Sequence, residues 1–111
     1  MNIKSQTNAI RDLNDWFRCT LEGGAVLLTA GIVALGEDMQ ARIIDAVRTF
    51  DDFTHENDPH GEHDFGSLEI EGERIYFKLD YYDLTRAMHS EDAADPSATE
   101  RVLTIMLASE Y

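Results

Sequence analysis

At 111 residues the chain has room for one domain of ordinary size, residues 1–111, and its 43% apolar content suffices for a packed core. Twenty-two acidic against nine basic residues give a formal charge of −13, which repels phosphate, so direct binding to DNA, RNA or an anionic membrane is not expected. No apolar run approaches the roughly 20 residues of a membrane span, no secretory leader is evident at the N-terminus, and the lone Cys19 cannot close an internal disulfide; the expected location is cytoplasmic.

The first segment, Asn8 to Leu21, sets Ile10, Leu13, Trp16 and Phe17 at helical spacing. Arg11, Asp12, Asn14, Asp15 and Arg18 fall on the other face, which predicts an amphipathic helix. Gly23-Gly24 ends it. Cys19, near its end, reads as a small core residue. Ala25 to Thr29 is then a short buried strand, and Ala30 to Gly36 either extends it or turns into the next helix. That second helix runs from Glu37 to Asp52, with Met39, Ile43, Val47 and Phe50 on one stripe. Glu37 and Asp38 complement the positive end of its dipole.

Thr54 to Gly66 is polar and rich in turn-forming pairs, and is therefore a loop. Beyond it, Leu68 and Ile70 alternate with Glu69 and Glu71, Gly72 marks a tight turn, and Ile75, Phe77, Leu79 and Tyr81 alternate with Tyr76, Lys78, Asp80 and Tyr82. This is a hairpin with one buried face. Near the C-terminus Ser97 and Glu100 have the spacing of a capping box, which predicts a buried helix through Val102, Leu103, Ile105, Met106 and Leu107. The predicted class is α+β, a small antiparallel or mixed three-stranded sheet covered by about three helices in the order α-β-α-β-β-α.

The loop from His55 to Asp64 concentrates the chemistry. His55, His60 and His63 with Asp64 offer the N and O donors that zinc or a similar divalent ion takes. The pattern lacks Cys pairs and a helix-borne His-Glu-x-x-His, so the signal is weak, and the competing account has the carboxylates capping turns and the histidines bonding backbone. A metal-dependent hydrolase would use the same ligands, with Glu62 or Asp80 as general base. The strand pair Tyr76 and Tyr82, opposite the core residues, suits a protein interface unless a helix covers that face too.

Several motifs, Leu13-Asn14-Asp15, Gly23-Gly24, Thr29-Ala30-Gly31, Asn57 through Gly66, Lys78 through Asp83 and Arg101 through Tyr111, together resemble the bacterial family called domain of unknown function 3768. The resemblance implies no activity and no catalytic residues. It implies carriage on plasmids and phages, and with that a counter-defence role.

The leading expectation is a non-enzymatic acidic inhibitor. Asp51, Asp52, Glu56, Asp58 and Glu62, with Tyr76 and Tyr82, would engage a basic protein surface in place of phosphates. A CRISPR effector or another defence nuclease is the concrete partner, and the alternative is the metal-dependent hydrolase of the His55 to His63 loop. The charge also suits plain solubility.

Overall fold

The computed structural model describes residues 3–111. Helix α1 (Ile3–Thr20) leads into β1 (Gly24–Leu28), a one-turn α2 (Ala30–Val33) and α3 (Glu37–Arg48). After the loop come β2 (Phe65–Ile70), β3 (Glu73–Tyr82) and β4 (Glu100–Leu107), and a 3₁₀ turn (Ala108–Glu110) closes the chain. The class is α+β as expected, but the sheet has four strands, not three, in the order β1-β4-β3-β2. No helix among the described residues is long and apolar enough to cross a membrane.

The main correction falls on the C-terminus. The segment expected to be a capped helix is β4, the strand that pairs with β1 in parallel and with β3 antiparallel. A strand with neighbours on both edges and cover on both faces is apolar throughout, so its sequence carries no alternation to betray it. Arg101, Val102, Leu103, Ile105 and Met106 are all buried. Ser97 caps no helix; it lies in a turn and donates through its hydroxyl to Asp95 Oδ1 at 2.7 Å.

The hairpin forms where alternation predicts it. Ile70 pairs with Glu73, leaving Glu71 and Gly72 as the two loop residues, with φ of 48° and 85°. Two positive φ values make a type I′ turn, whose twist matches that of the strands. Ala30 to Val33 resolves the open choice after β1 by turning into a helix.

One face of the sheet carries the core. Ile75, Phe77 and Leu79 of β3 and Leu103 and Ile105 of β4 pack against Phe17 of α1, Ile32 of α2 and Ile43 and Val47 of α3. Gly66 of β2 sits so close to the Phe77 ring that a Cβ there would lie 2.2 Å from a ring carbon. Helix α1 buries a face turned slightly from the one expected: Trp16 is 52% exposed, whereas Asn14 and Arg18 are buried. Cys19 is exposed as well, not a core residue.

Candidate functional site

Arg18 explains why α3 stops at Arg48 instead of running to Asp52. Its guanidinium Nη1 donates to the carbonyls of Val47 at 2.8 Å, Arg48 at 3.3 Å and Phe50 at 2.8 Å. These oxygens belong to the last turn of α3 and the residues just past it, where helical partners run out and the dipole is negative. Asp15, one turn earlier on α1, balances the buried cation through Arg18 Nη2 at 3.2 Å. The guanidinium also lies 5.2 Å from the centre of the Phe53 ring.

The loop beyond α3 is built locally. Asn57 Oδ1 accepts from the Thr54 backbone N–H and Asn57 Nδ2 donates to the Asp52 carbonyl, both at 2.9 Å. Asp58 is buried, and both its carboxylate oxygens accept from the His63 N–H at 3.2 Å. That contact holds His63 at φ 56°, a left-handed conformation unfavourable for a residue with a side chain. The His63 ring stacks on Phe53 with centroids 3.9 Å apart. Its Nδ1 lies 2.8 Å from Asp15 Oδ1 and its Nε2 3.7 Å from Asp58 Oδ2, so both ring nitrogens face carboxylates.

Beside this pair runs a buried polar network joining α1, the loop and two strands. Asn14 Nδ2 donates to the Glu62 carbonyl at 3.0 Å and to Tyr81 Oη at 2.7 Å. Asn14 Oδ1 accepts from Arg101 Nε at 2.9 Å, and Tyr81 Oη donates to Glu62 Oε1 at 2.9 Å. Arg101 also donates to the Ala93 carbonyl and lies 5.3 Å from the centre of the Tyr81 ring. Burial first, and then the Glu62 carboxylate, pushes the Tyr81 phenol far above its ordinary pKa, so it stays a donor. Burial also raises the Asp64 carboxyl, helped by repulsion from Glu62, and lowers Arg101.

The expected metal ligands are not gathered. His55 and His60 are exposed, His63 turns toward Asp15 and Asp58, and Asp64 is half-buried. Among the described residues no group of three or more His, Cys, Asp or Glu side chains is arranged to hold an ion. The expected partner-binding set divides. Asp51, Asp52 and Glu56 are exposed together on the loop; Asp58 is occupied with His63, and Glu62 with Tyr81. Tyr76 and Tyr82 stand on the opposite face of the sheet from the residues that meet the loop.

An open groove of about 800 Å³ runs between α1 and α3, with Asp15, Asp45 and Asp51 among its lining residues and Arg18 and Arg48 beside them. Asn14, Asp15, Arg18, Tyr81 and Arg101, which organise the site, were not among the expected site residues. Asn14, Asp15, Tyr81 and Arg101 lie within the resemblance motifs, and Arg101 also stands as a polar residue at the head of the apolar run of β4, whereas Arg18 carries neither signal.

The fold and site together define a small acidic α+β protein whose charged loop is fastened to a helix and a sheet by buried hydrogen bonds. The chain belongs to the family described as Protein of unknown function (DUF3768), whose profile matches residues 28–110. No curated protein and no solved structure matches it.

Proposed function

We propose that this protein is a non-enzymatic inhibitor that occupies the basic, nucleic-acid-binding surface of a host defence nuclease, as an anti-CRISPR protein does. The observation that carries this reading is the distribution of charge. Arg42, Arg48, Arg74, Lys78 and Arg86 are each ion-paired to a carboxylate of the same chain. Asp51, Asp52 and Glu56 are each exposed in the segment after α3 and have no Lys or Arg ion-pair partner among the described residues. Such carboxylates take the place of phosphates against Arg and Lys, and their field speeds encounter with a basic groove. The loop backbone is already ordered by Asn57, Asp58 and His63, so less entropy is lost on docking.

The test is a competition measurement with a panel of purified CRISPR effectors and other defence nucleases, each loaded with labelled target nucleic acid. The protein should displace the nucleic acid from its target enzyme, and the displacement should weaken as salt shortens the screening length toward about 3 Å near 1 M. Replacing Asp51 and Asp52 by Asn and Glu56 by Gln together should slow association more than it speeds dissociation. Binding indifferent to both salt and the triple variant, or binding of the protein itself to duplex DNA, would refute the proposal.

A further inference from the structure

Between β3 and β4 the chain makes a loop that holds apolar side chains out in solvent. Leu84 is 65% exposed and Met88 71% exposed, more than any other large apolar side chain among the described residues except Tyr111. Burial drives folding, so the fold gains nothing from placing them there. The loop nonetheless fixes them. Asp83 Oδ1 accepts from the Thr85 N–H at 3.0 Å, the Thr85 hydroxyl at 2.7 Å and the Ala87 N–H at 3.3 Å, and the Asp83 N–H donates to the Met88 carbonyl at 2.8 Å. The Ser90 N–H donates to the Tyr81 carbonyl at 2.9 Å, the His89 ring stacks on Tyr82, and the buried Arg101 donates to the Ala93 carbonyl. Leu84, Met88, His89 and Ala98 wall a groove of about 370 Å³, whose other lining residues are Asp83 and Glu91.

We propose that this groove is a docking site for a basic segment of another protein, one that sets a large apolar side chain between Leu84 and Met88 and its Lys or Arg residues against the surrounding carboxylates. Charge complementarity selects this occupant. From Asp83 to Thr99 stand the carboxylates of Asp83, Glu91, Asp92 and Asp95, and the one Lys or Arg is Arg86, already paired to Glu100 at 2.7 Å. Hydrogen bonds, first from the Thr85 hydroxyl and then from the Ala87 N–H, hold the Asp83 carboxyl below its ordinary 3.8. The Ser97 hydroxyl does the same for Asp95, so both are charged at neutral pH. An anionic membrane, an acidic peptide or a second copy of a chain of charge −13 would meet this rim with repulsion. The volume lies near the lower end of the roughly 300–1,000 Å³ of ligand pockets, enough for a side chain or two and not for a folded domain. Methionine suits such a wall, because its unbranched thioether adapts to the side chain that arrives. Unlike docking through Asp51, Asp52 and Glu56, binding here needs no nuclease and includes an apolar contact that salt does not screen.

Fluorescence anisotropy on the full chain with three labelled synthetic peptides of equal length provides the test: an amphipathic Leu–Lys peptide, a Gly–Lys peptide of the same charge, and a Leu–Glu peptide. The Leu–Lys peptide should bind about tenfold or more tightly than the Gly–Lys peptide, the gain from burying roughly one apolar side chain. The Leu–Glu peptide should not bind. Leu84→Ser combined with Met88→Ser should bring the Leu–Lys peptide down to the Gly–Lys level. Neutralising Asp51, Asp52 and Glu56 instead should weaken both Lys peptides alike and leave their ratio unchanged, so the two proposals fail separately. Methyl NMR on the wild-type protein should show the Leu84, Met88 and Ala98 resonances moving as the Leu–Lys peptide is added, which decides the matter should the double variant not fold. Equal binding of the two Lys peptides, a ratio that survives the double variant, shifts confined to other methyls, or binding of the Leu–Glu peptide overturns the proposal. So does self-association of the chain that the double variant abolishes.

Discussion

Replacing Asn14 by Ala tests whether the buried network holds the loop to the fold. The side chain is fully buried and makes three hydrogen bonds, two as donor and one as acceptor. Its loss leaves the Arg101 Nε without an acceptor in a buried position, and a hydrogen bond to a charged group contributes about 1.5–3 kcal/mol. The Glu62 carbonyl and Tyr81 Oη each lose a neutral donor, for about 0.5–1.5 kcal/mol apiece. Tyr81 keeps Glu62 Oε1 and Arg101 keeps the Ala93 carbonyl, which limits the damage. The expected loss is roughly 3–5 kcal/mol, a large part of the 5–15 kcal/mol typical of a domain. Tyr81→Phe, which leaves Asn14 bonded to the Glu62 carbonyl, should cost only about 1–2 kcal/mol. Urea unfolding followed by circular dichroism gives both values. The double variant should fall short of the summed losses, since the two residues share a bond. An Asn14→Ala protein within about 0.5 kcal/mol of wild type would refute the idea that this network fastens the loop.

Glu110 accepts hydrogen bonds from Thr29, Leu107 and Gly31, which hold its carboxyl below the ordinary 4.5. Its contribution is therefore complete above that value and lost as pH falls through the lower folded value, and Glu110→Gln should flatten the acid limb of a melting-temperature profile. Asp64 has the opposite sign: its raised pKa favours the fold below the ordinary 3.8 and ceases to do so as pH rises through the folded value. Asp64→Asn should accordingly raise the melting temperature at pH 7. Gly66→Ala pushes a methyl into the Phe77 ring and should destabilise by about 1–3 kcal/mol in the same urea assay. Because His63 is bound to Asp15 and Asp58 and not to His55 or His60, a chelator should leave the melting point of tag-free protein unchanged, whereas His63→Ala should lower it.

Elements with one buried face were legible in the sequence. The hairpin obeyed strict alternation, and Ile43 and Val47 of α3 lie fully buried on the stripe that their spacing drew. β4 was not legible, because an eight-residue run covered on both sides has no period to read. What could have argued for a strand is the β-branched content of Val102, Thr104 and Ile105, which suits a pleated surface. The Ser97 and Glu100 spacing outweighed it, although such a box signals a helix only when a helical stripe follows.

The site was legible in its loop and hidden in its supports. Composition drew attention to His55 through Asp64, yet what organises that segment lies far along the chain: Asn14 reaches Glu62 across 48 positions, Tyr81 across 67 and Arg101 across 87. Periodicity assigns a polar residue to the solvent side of a helix because, taken alone, an unpaired amide or guanidinium is costly to bury. Asn14 escapes that cost because the Glu62 carbonyl, Tyr81 and Arg101 arrive from elsewhere to satisfy it, and Arg18 escapes most of it through the carbonyls at the end of α3, its Nε alone being buried without a partner. The resemblance motifs had already singled out Leu13-Asn14-Asp15, the stretch from Asn57 to Gly66, Tyr81 and Arg101. Their convergence ties the acidic loop to the core, so a partner that docks on Asp51, Asp52 and Glu56 meets a surface whose shape is set before it arrives.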